Sequence, residues 1–475
     1  MSTDKELEAL ALEAEQEAER MQVAPPGAPM RNARWFIVRR YKECDRELLV
    51  CQGGAFYAYN GMCWPLLEDA ELRSQVYKDF EHAVYLTKAK AADSAPFNPT
   101  QSKVENIIGA LKGITFSDSN STVPKWLDGR ESPQANEIVV CQNGLINVTT
   151  RELMPHTSLF FQHHAVPFNF DPEAPTPCRW KKFLRELFPG DKEAVKTLQE
   201  WMGYLVSADT RQQKMLLIHG PKRSGKGTIG RILGAMLGSQ NIVGPTLASL
   251  GQNFGLAPLI GKPVAIVSDA RAALGNGSLI TERLLSISGE DPQTVDRKNK
   301  EAWTVMFPTR IVILTNELPR LNDSSGALAS RFIVLTLRKS FYQNPDITLT
   351  DKLKTELPGI FNWTLEGLAR LSERGHFVQP GSGADAAEQL GNLSSPIATF
   401  VDECCEVAPD KQVPKDELFV IWKEWCDRNG HMSGSKSGFA NALYAAFPAI
   451  RHSKLGNQDK RVAHFAGVRI SCVKF

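Results

Sequence analysis

Long hydrophobic runs and paired cysteines are both missing from this 475-residue sequence. No apolar run approaches the length of a membrane-spanning helix, and the N-terminus lacks the apolar core of a signal peptide. The nine cysteines include no Cys-x-x-Cys pair, which argues against a zinc ribbon and against a disulfide-stabilised secreted domain. We therefore expect a soluble, cytoplasmic protein without a membrane partner.

A strong excess of charge of either sign is also missing. The 55 Lys and Arg residues nearly balance the 53 Asp and Glu residues, which leaves a formal net charge of +2. A nucleic-acid partner would therefore have to be bound by a local basic patch. The hydrophobic content of 42% is ordinary for a globular protein, and no internal repeat is visible.

The chain is long enough for two or three domains, and its composition changes along its length. Residues 1–30 predict an acidic, partly helical tail, and 31–170 predict an α+β domain of short strands, hairpins and helices. Residues 175–375 carry the chemical motifs. After a linker at 372–386, helices followed by a strand pair indicate a winged-helix-like domain at 395–475, for which a plain helical cap is the alternative.

Several segments give more specific expectations. Turn dipeptides and alternating hydrophobicity predict strands within 56–66 and 136–153, whereas helical spacing predicts helices within 74–93 and 101–114. The last segment, 461–473, is expected to form two strands.

A glycine-rich loop stands between an apolar run and a helical pattern in "MLLIHGPKRSGKGTIGRIL" (215–233). This is the context of a P-loop, in which backbone N–H groups and the start of a helix surround phosphate oxygens. Lys226 is expected to reach the β- and γ-phosphates of ATP. The predicted nucleotide-binding residues are Gly220, Pro221, Lys222, Arg223, Ser224, Gly225, Lys226, Gly227 and Thr228.

The residue after Lys226 departs from the usual pattern. Gly227 stands where a Ser or Thr normally supplies the hydroxyl that holds Mg²⁺, and Thr228 follows one place later. Either Thr228 provides that oxygen or the metal is held through water. The string "GKGT" also occurs in some nucleotide kinases, so the loop does not by itself identify the reaction.

Three downstream apolar runs carry polar residues at their ends. Asp269 ends "GKPVAIVSDAR" and occupies the position of a Walker B acid, which would hold Mg²⁺ directly or through water. Asn316 follows "TRIVILT" and could hydrogen-bond the γ-phosphate or the attacking water. Arg331 stands at the start of the third run. We expect these residues to act together at one catalytic centre.

The segment "TVDRKNKEAWTV" alternates on both sides of a basic centre and predicts a β-hairpin. Its tip carries Arg297, Lys298 and Lys300. An exposed basic hairpin can serve solubility alone, but beside an ATP site it could also contact a nucleic-acid backbone.

Residues 140–380 resemble the helicase part of phage, plasmid and poxvirus primase-helicases, which belong to helicase superfamily three within the AAA+ ATPases. The matching strings include "GPKRSGKGT", "SISGEDPQTVDRK", "ILTNELPRLNDSSGALASRF" and "QEWMGYLVSADTRQQK". The resemblance implies an α/β fold: a P-loop AAA+-like core, an N-terminal α+β domain and a C-terminal winged-helix-like domain.

The resemblance also implies residue roles and partners. Lys226 and Thr228 would bind nucleotide, Asp269 would be the Walker B acid and Asn316 the first sensor. Arg331 would be the finger that reaches the ATP of a neighbouring subunit, and 289–298 would contact DNA. The implied protein is an ATP hydrolase and Mg²⁺-dependent DNA helicase that works as a hexameric ring on single-stranded DNA at the replication fork of a phage or mobile element.

Two departures from that family leave questions open. Family members often have two adjacent acids at the Walker B position, but here Ala270 follows Asp269, so Asp269 and Glu290 both remain candidates for polarising the attacking water. The first 170 residues show no primase metal-binding acids or zinc cysteines, so a separate primase is expected as a partner. The alternatives are an ATP-binding replication initiator or DNA-binding scaffold without unwinding, and a nucleotide kinase.

Overall fold

The computed structural model describes residues 22–87, 94–118, 123–268, 270, 277–298, 300–319, 321, 323, 326–343, 346–455 and 462–471. Most of the predicted tail and the predicted Walker B residue Asp269 lie outside these residues, and at Lys300 only the backbone is described. The chain divides into two compact units, 1–170 and 171–475. None of the helices in the described ranges is long and apolar enough to cross a membrane.

In its described residues, the first unit packs three helices against small sheets that are mostly antiparallel. Val104, Ile107, Ile108 and Leu111 form one buried stripe on the third helix, which explains why 101–114 is helical as predicted. The helices are α1 (Pro29–Arg40), α2 (Asp69–Glu81) and α3 (Gln101–Ile114). The strands are β1 (Lys42–Glu43), β2 (Arg46–Glu47), β3 (Leu49–Gln52), β4 (Ala55–Ala58), β5 (Leu66–Leu67), β6 (Val84–Leu86), β7 (Ser94–Pro96), β8 (Phe116–Ser117), β9 (Lys125–Trp126), β10 (Ile138–Cys141), β11 (Gly144–Asn147), β12 (Leu153–Met154) and β13 (Phe160–Phe161).

The largest sheet of this unit has the order β5-β4-β3-β8, and β10, β11 and β12 form a second sheet. The strands predicted within 56–66 and 136–153 are therefore confirmed. The helix predicted over 74–93 is only partly correct, because α2 ends at Glu81 and Val84–Leu86 pairs with Ser94–Pro96 as a strand. The β-branched Val84 and the aromatic Tyr85 favour this pairing over a continued helix.

The second unit is built around a five-stranded parallel sheet. Its helices are α4 (Cys178–Leu187), α5 (Lys192–Val206), α6 (Lys226–Leu237), α7 (Leu247–Leu250), α8 (Gly277–Ser288), α9 (Ala327–Ser330), α10 (Leu349–Lys354), α11 (Leu357–Arg374) and α12 (Ala384–Ser394). Its strands are β14 (Met215–His219), β15 (Ile242–Val243), β16 (Val264–Ser268), β17 (Gln293–Arg297), β18 (Lys300–Val305), β19 (Arg310–Thr315) and β20 (Phe332–Thr336).

The strand order of this sheet is β15-β16-β19-β14-β20, and every neighbouring pair is parallel. The strands β14 and β19 are almost entirely buried, as expected when helices cover both faces of a parallel sheet. All five strands end at one edge, which we call the carboxyl edge, and begin at the other, the amino edge. Because the strands share one direction, loops that follow strands lie together at the carboxyl edge, and loops that precede strands lie together at the amino edge.

Residues 372–386 are not the loose linker that the sequence predicts. The side chain of Gln379 accepts a hydrogen bond from Val334 N at 2.9 Å and donates one to Val334 O at 2.8 Å, as a neighbouring strand would. Ala386 and Leu390 of α12 are buried in the same core as the sheet. The glutamine amide thus satisfies the exposed backbone of edge strand β20, which the composition of the segment does not reveal.

The C-terminal residues form α13 (Pro396–Cys404), β21 (Cys405–Pro414), α14 (Lys415–Asn429), α15 (Lys436–Ala446), β22 (Arg451–Leu455) and β23 (Val462–Ile470). The three strands make an antiparallel sheet in the order β21-β23-β22. The predicted strand pair in 461–473 is wrong, because Val462–Ile470 is one strand held between two others. The sequence analysis also missed β21, whose Pro, Asp and Lys residues disfavour a strand and which depends on pairing with β23.

Candidate nucleotide-binding site

The phosphate loop, residues 220–226, joins the carboxyl edge of β14 to the start of α6. Gly225 has a φ of 95°, and a Cβ there would lie 2.8 Å from Leu187 Cδ2. A Cβ at Gly220 would lie 2.5 Å from the carbonyl oxygen of Leu337. Both positions therefore require glycine, for backbone conformation at the first and for close packing at both.

Lys226 is nearly buried and folds back over this loop. Its Nζ donates to the carbonyl oxygens of Gly220 and Pro221 at 2.7 and 2.8 Å and to Ser224 Oγ at 3.1 Å. The ammonium group is thus held at the centre of the loop, next to the N-terminus of α6, where a helix favours an anion. The geometry suits a phosphate group that would replace some of these oxygens as partners of the lysine.

A short segment that the sequence analysis did not single out fixes the outer side of the loop. Phe341 N donates to the carbonyl oxygen of Arg223 at 2.9 Å, and Ser340 Oγ donates to that of Lys222 at 2.8 Å. The Arg223 guanidinium also lies 5.5 Å from the ring centroid of Tyr342. With these carbonyls engaged outside, the loop is held in one conformation, which favours preorganised binding.

Asn316 follows β19 directly and lies at the carboxyl edge, beside the phosphate loop. The adjacent strands are in register, so that His219 pairs with Thr315, and Gly220 N donates to Thr315 O at 3.3 Å. Burial lowers the pKa of His219, and a hydrogen bond with the backbone of Asn316 partly offsets this. The structure therefore brings Asn316 close to the loop, as the sequence predicts.

Arg331 lies at the amino edge, on the far side of the sheet from its own phosphate loop. Its carbonyl accepts from Met215 N at 2.8 Å, and its Nη1 donates to Ser288 Oγ at 3.3 Å. Since parallel strands rise about 3.3 Å per residue, roughly 20 Å separates Arg331 from Gly220, farther than an arginine side chain extends. Arg331 immediately precedes β20, close to the predicted strand start.

Glu290 also lies at the amino edge. It accepts hydrogen bonds from Thr210 Oγ1 and from Gln213 Nε2, both of which precede β14. Glu290 therefore lies on the opposite side of the sheet from the phosphate loop of its own subunit. The sequence gives the position of Glu290 along the chain, but it does not show at which edge of the sheet α8 places this residue.

Lys214 joins the charged residues at this edge. Its Nζ donates to Ser330 O at 2.6 Å. Burial, and then the charge of Arg331, lower the pKa of Lys214. The amino edge thus brings Lys214 and Arg331 together with the Glu290 carboxylate, which the linear sequence does not place together.

The predicted basic hairpin is present as β17 and β18, with residues 298 and 299 between the two strands. The Arg297 guanidinium lies 5.3 Å from the ring centroid of Trp303, and Lys298 at the turn is exposed. The hairpin begins at Gln293, shortly after Glu290, so it extends from the amino edge rather than from the phosphate loop. The contact with Trp303 holds Arg297 close to the strands and leaves Lys298 as the more accessible cation.

Three family models match different parts of the chain. Residues 36–189 match "D5 N terminal like", 394–466 match "Poxvirus D5 protein-like", and 218–331 match a family of unknown function, DUF5906. The matches thus cover parts of both units.

Solved structures of the C-terminal region of NrS-1 are similar to this chain. One apo structure has a TM-score of 0.50 and 12% identity, and the match covers 88% of this chain and 95% of that one. An A-form apo structure of the same region has a TM-score of 0.48 and 11% identity, covering 92% of this chain and 99% of that chain. At 12% identity, the first match shows a shared fold and no more.

Proposed function

We propose, on the premise that the chain belongs to the phage- and poxvirus-type primase-helicase family, that it is an ATP-dependent DNA helicase or translocase. The family connects the chain with replication. The specific proposal is that ATP is hydrolysed at the interfaces of a homo-oligomeric ring, and that hydrolysis moves the ring along single-stranded DNA.

One observation supports the proposal above the others: the residues that we propose for the hydrolytic site lie at opposite edges of one sheet. The phosphate loop and Asn316 are at the carboxyl edge, whereas Arg331 is at the amino edge. A head-to-tail assembly would place the amino edge of one subunit against the carboxyl edge of the next, and such heterologous contacts form a ring when the rotation between subunits closes. Arg331 would then complete the site of a neighbour, as arginine fingers do.

The residues of the loop fit the triphosphate of ATP. Lys226 is held by oxygens that phosphate can replace, and Thr228 lies in the first turn of α6, two residues after Lys226. With Asp269, which follows Ser268 in the sequence, these residues would hold Mg²⁺ directly or through water. The metal would neutralise charge on the phosphates, and Asn316 would orient the attacking water.

Two further elements are suited to DNA. The hairpin presents Lys298 to solvent, and lysines on such a hairpin would contact phosphates irrespective of sequence. The C-terminal succession of helix, strand, two helices and two strands fits the winged-helix arrangement that the sequence suggests. We propose that this part contributes to DNA or partner binding at the replication fork, next to a separate primase.

The test is ATP hydrolysis with and without single-stranded DNA. The wild-type chain should hydrolyse ATP faster when single-stranded DNA is present, and Lys226→Ala should abolish hydrolysis in both conditions. Lys196→Ala, which removes an exposed lysine on α5, is the matched control and should behave as wild type.

Other outcomes identify the alternatives. DNA binding without stimulated turnover would support a replication initiator or scaffold, and turnover that requires a nucleoside monophosphate would support a kinase. If Lys226→Ala hydrolysed ATP at the normal rate, the proposed role of the phosphate loop in hydrolysis would be refuted.

A further inference from the structure

The side chain of Arg231 occupies the space next to the unusual glycine of the phosphate loop. A Cβ at Gly227 would lie 3.3 Å from Arg231 Nη1, tighter than ordinary van der Waals contact. Apart from the adjoining residues and the backbone of α6, no other atom of the described residues lies within 4 Å of that point. Arg231 follows Gly227 by one helical turn, so both face the same side of α6. The position that usually bears a Mg²⁺-binding hydroxyl is thus bordered by a guanidinium group.

The same guanidinium also engages the hydroxyl that could replace the missing one. Arg231 Nη2 donates to Thr228 Oγ1 at 3.1 Å. A Mg²⁺ ion bound directly to that oxygen, at about 2.1 Å, would stand close to a permanent positive charge. Direct metal binding by Thr228 would therefore require Arg231 to turn away, whereas a metal held through water would let it remain.

A second hydroxyl supports the arginine from the other side. Arg231 Nε donates to Thr350 Oγ1 at 3.0 Å, on the short helix α10. Within the described parts of the chain, Nη1 has no hydrogen-bond acceptor. Two neutral hydroxyls leave the charge of the group uncompensated, and its remaining N–H donors are available for an anion.

We propose that Arg231 is a ligand of the nucleotide's phosphates and that Gly227 is small in order to admit it. This inference rests on the proposed function, since it assumes that the loop binds ATP. The guanidinium would bond phosphate oxygens with its free N–H groups while Thr228 and Thr350 orient it. The planar guanidinium of an arginine can form two parallel, charge-assisted hydrogen bonds with one phosphate group, whereas the ammonium group of a lysine acts as a point charge.

The experiment measures the affinity for ADP, with and without Mg²⁺, by isothermal titration. Arg231→Gln and Arg231→Ala should weaken binding roughly tenfold or more in both conditions, the usual size of a charge-assisted hydrogen bond. Arg231→Lys should recover part of the loss. Thr350→Val, which removes the support but keeps the charge, should change the affinity by about twofold or less.

The controls separate binding from folding. Thermal unfolding without nucleotide should be nearly the same for all four variants, because Arg231 is exposed. If Thr350→Val weakened ADP binding as much as Arg231→Ala, Arg231 would only attach α10 to α6, and the inference would be wrong. Unchanged ADP affinity in both Arg231→Gln and Arg231→Ala would overturn it as well.

The outcome also distinguishes this inference from the proposed function. A wild-type chain that binds no ADP would refute ATP binding itself. A wild-type chain that binds ADP and depends on Lys226 but not on Arg231 would refute the role of Arg231 alone.

Discussion

A mixing experiment with two inactive variants tests the position of Arg331 at the amino edge. Arg331→Ala retains the phosphate loop, and Lys226→Ala retains the arginine. Because roughly 20 Å of sheet separates Arg331 from its own loop, the arginine can act on ATP only across a subunit boundary. Combining the variants should therefore restore activity that neither has alone.

The size of the recovery follows from counting interfaces. In rings assembled from an equal mixture, about one interface in four joins an intact loop to an intact arginine, whatever the ring size. Loss of an arginine finger lowers turnover on the order of 10³-fold or more. The mixture should thus approach a quarter of wild-type activity, about a hundredfold or more above either parent.

The assay is steady-state ATP hydrolysis, with subunit exchange verified by native mass spectrometry of differently tagged chains. The control mixes Arg331→Ala with the Lys226→Ala, Arg331→Ala double variant, which contains no intact arginine and should stay inactive. Rings of proven mixed composition that recover nothing would refute the assignment of Arg331 to a neighbouring site. They would also remove the structural argument for hydrolysis at subunit interfaces.

Three further predictions concern the basic hairpin, His163 and the buried carboxylate of Glu200. Replacing Lys298 and Lys300 by Ala should weaken single-stranded DNA binding and lower the slope of log K against log salt by about 1.4; an unchanged slope in filter binding would contradict the hairpin contact. Burial holds the pKa of His163 well below its usual value, so the unfolded chain binds the additional proton below about pH 6.5 and stability should fall there. His163→Phe should flatten that part of the Tm profile, and an equally steep decline would disprove the explanation. The fully buried Glu200 carboxylate pairs with two arginines of α11, so Glu200→Gln should lower the free energy of unfolding by about 3 kcal/mol in urea titrations, whereas the exposed Glu193→Gln should not.

The phosphate loop could be predicted from sequence because its information is local. Strand, glycine spacing, lysine and helix follow one another within about twenty residues, and Gly225 must be glycine for a backbone reason that holds in any protein with this loop. The hairpin was predictable for the same reason, since alternation around a turn needs no distant partner. The buried strands β14 and β19 are apolar along their whole length, which identifies them without knowledge of their neighbours.

The sequence alone failed where stability comes from a distant partner. Gln379 and Ala386 lie in a segment with linker composition, yet one pairs with the backbone of β20 and the other is buried in the core. Strand β21 contains poor strand formers and exists because β23 hydrogen-bonds to it. Propensity describes only the local preference, and tertiary pairing overrides it.

The edge of the sheet to which each functional residue belongs was decided only by the tertiary structure. The sequence identified Glu290 and Arg331 as candidate catalytic residues, but parallel strands place the phosphate loop at one edge of the sheet and both residues at the other. Arg231 was likewise invisible as a functional residue, because its position beside Gly227 depends on a helical turn and on Thr350, which is distant in sequence. Sequence motifs identify the chemical groups that a reaction needs, whereas strand direction and helix packing determine which of these groups can lie close together within one subunit.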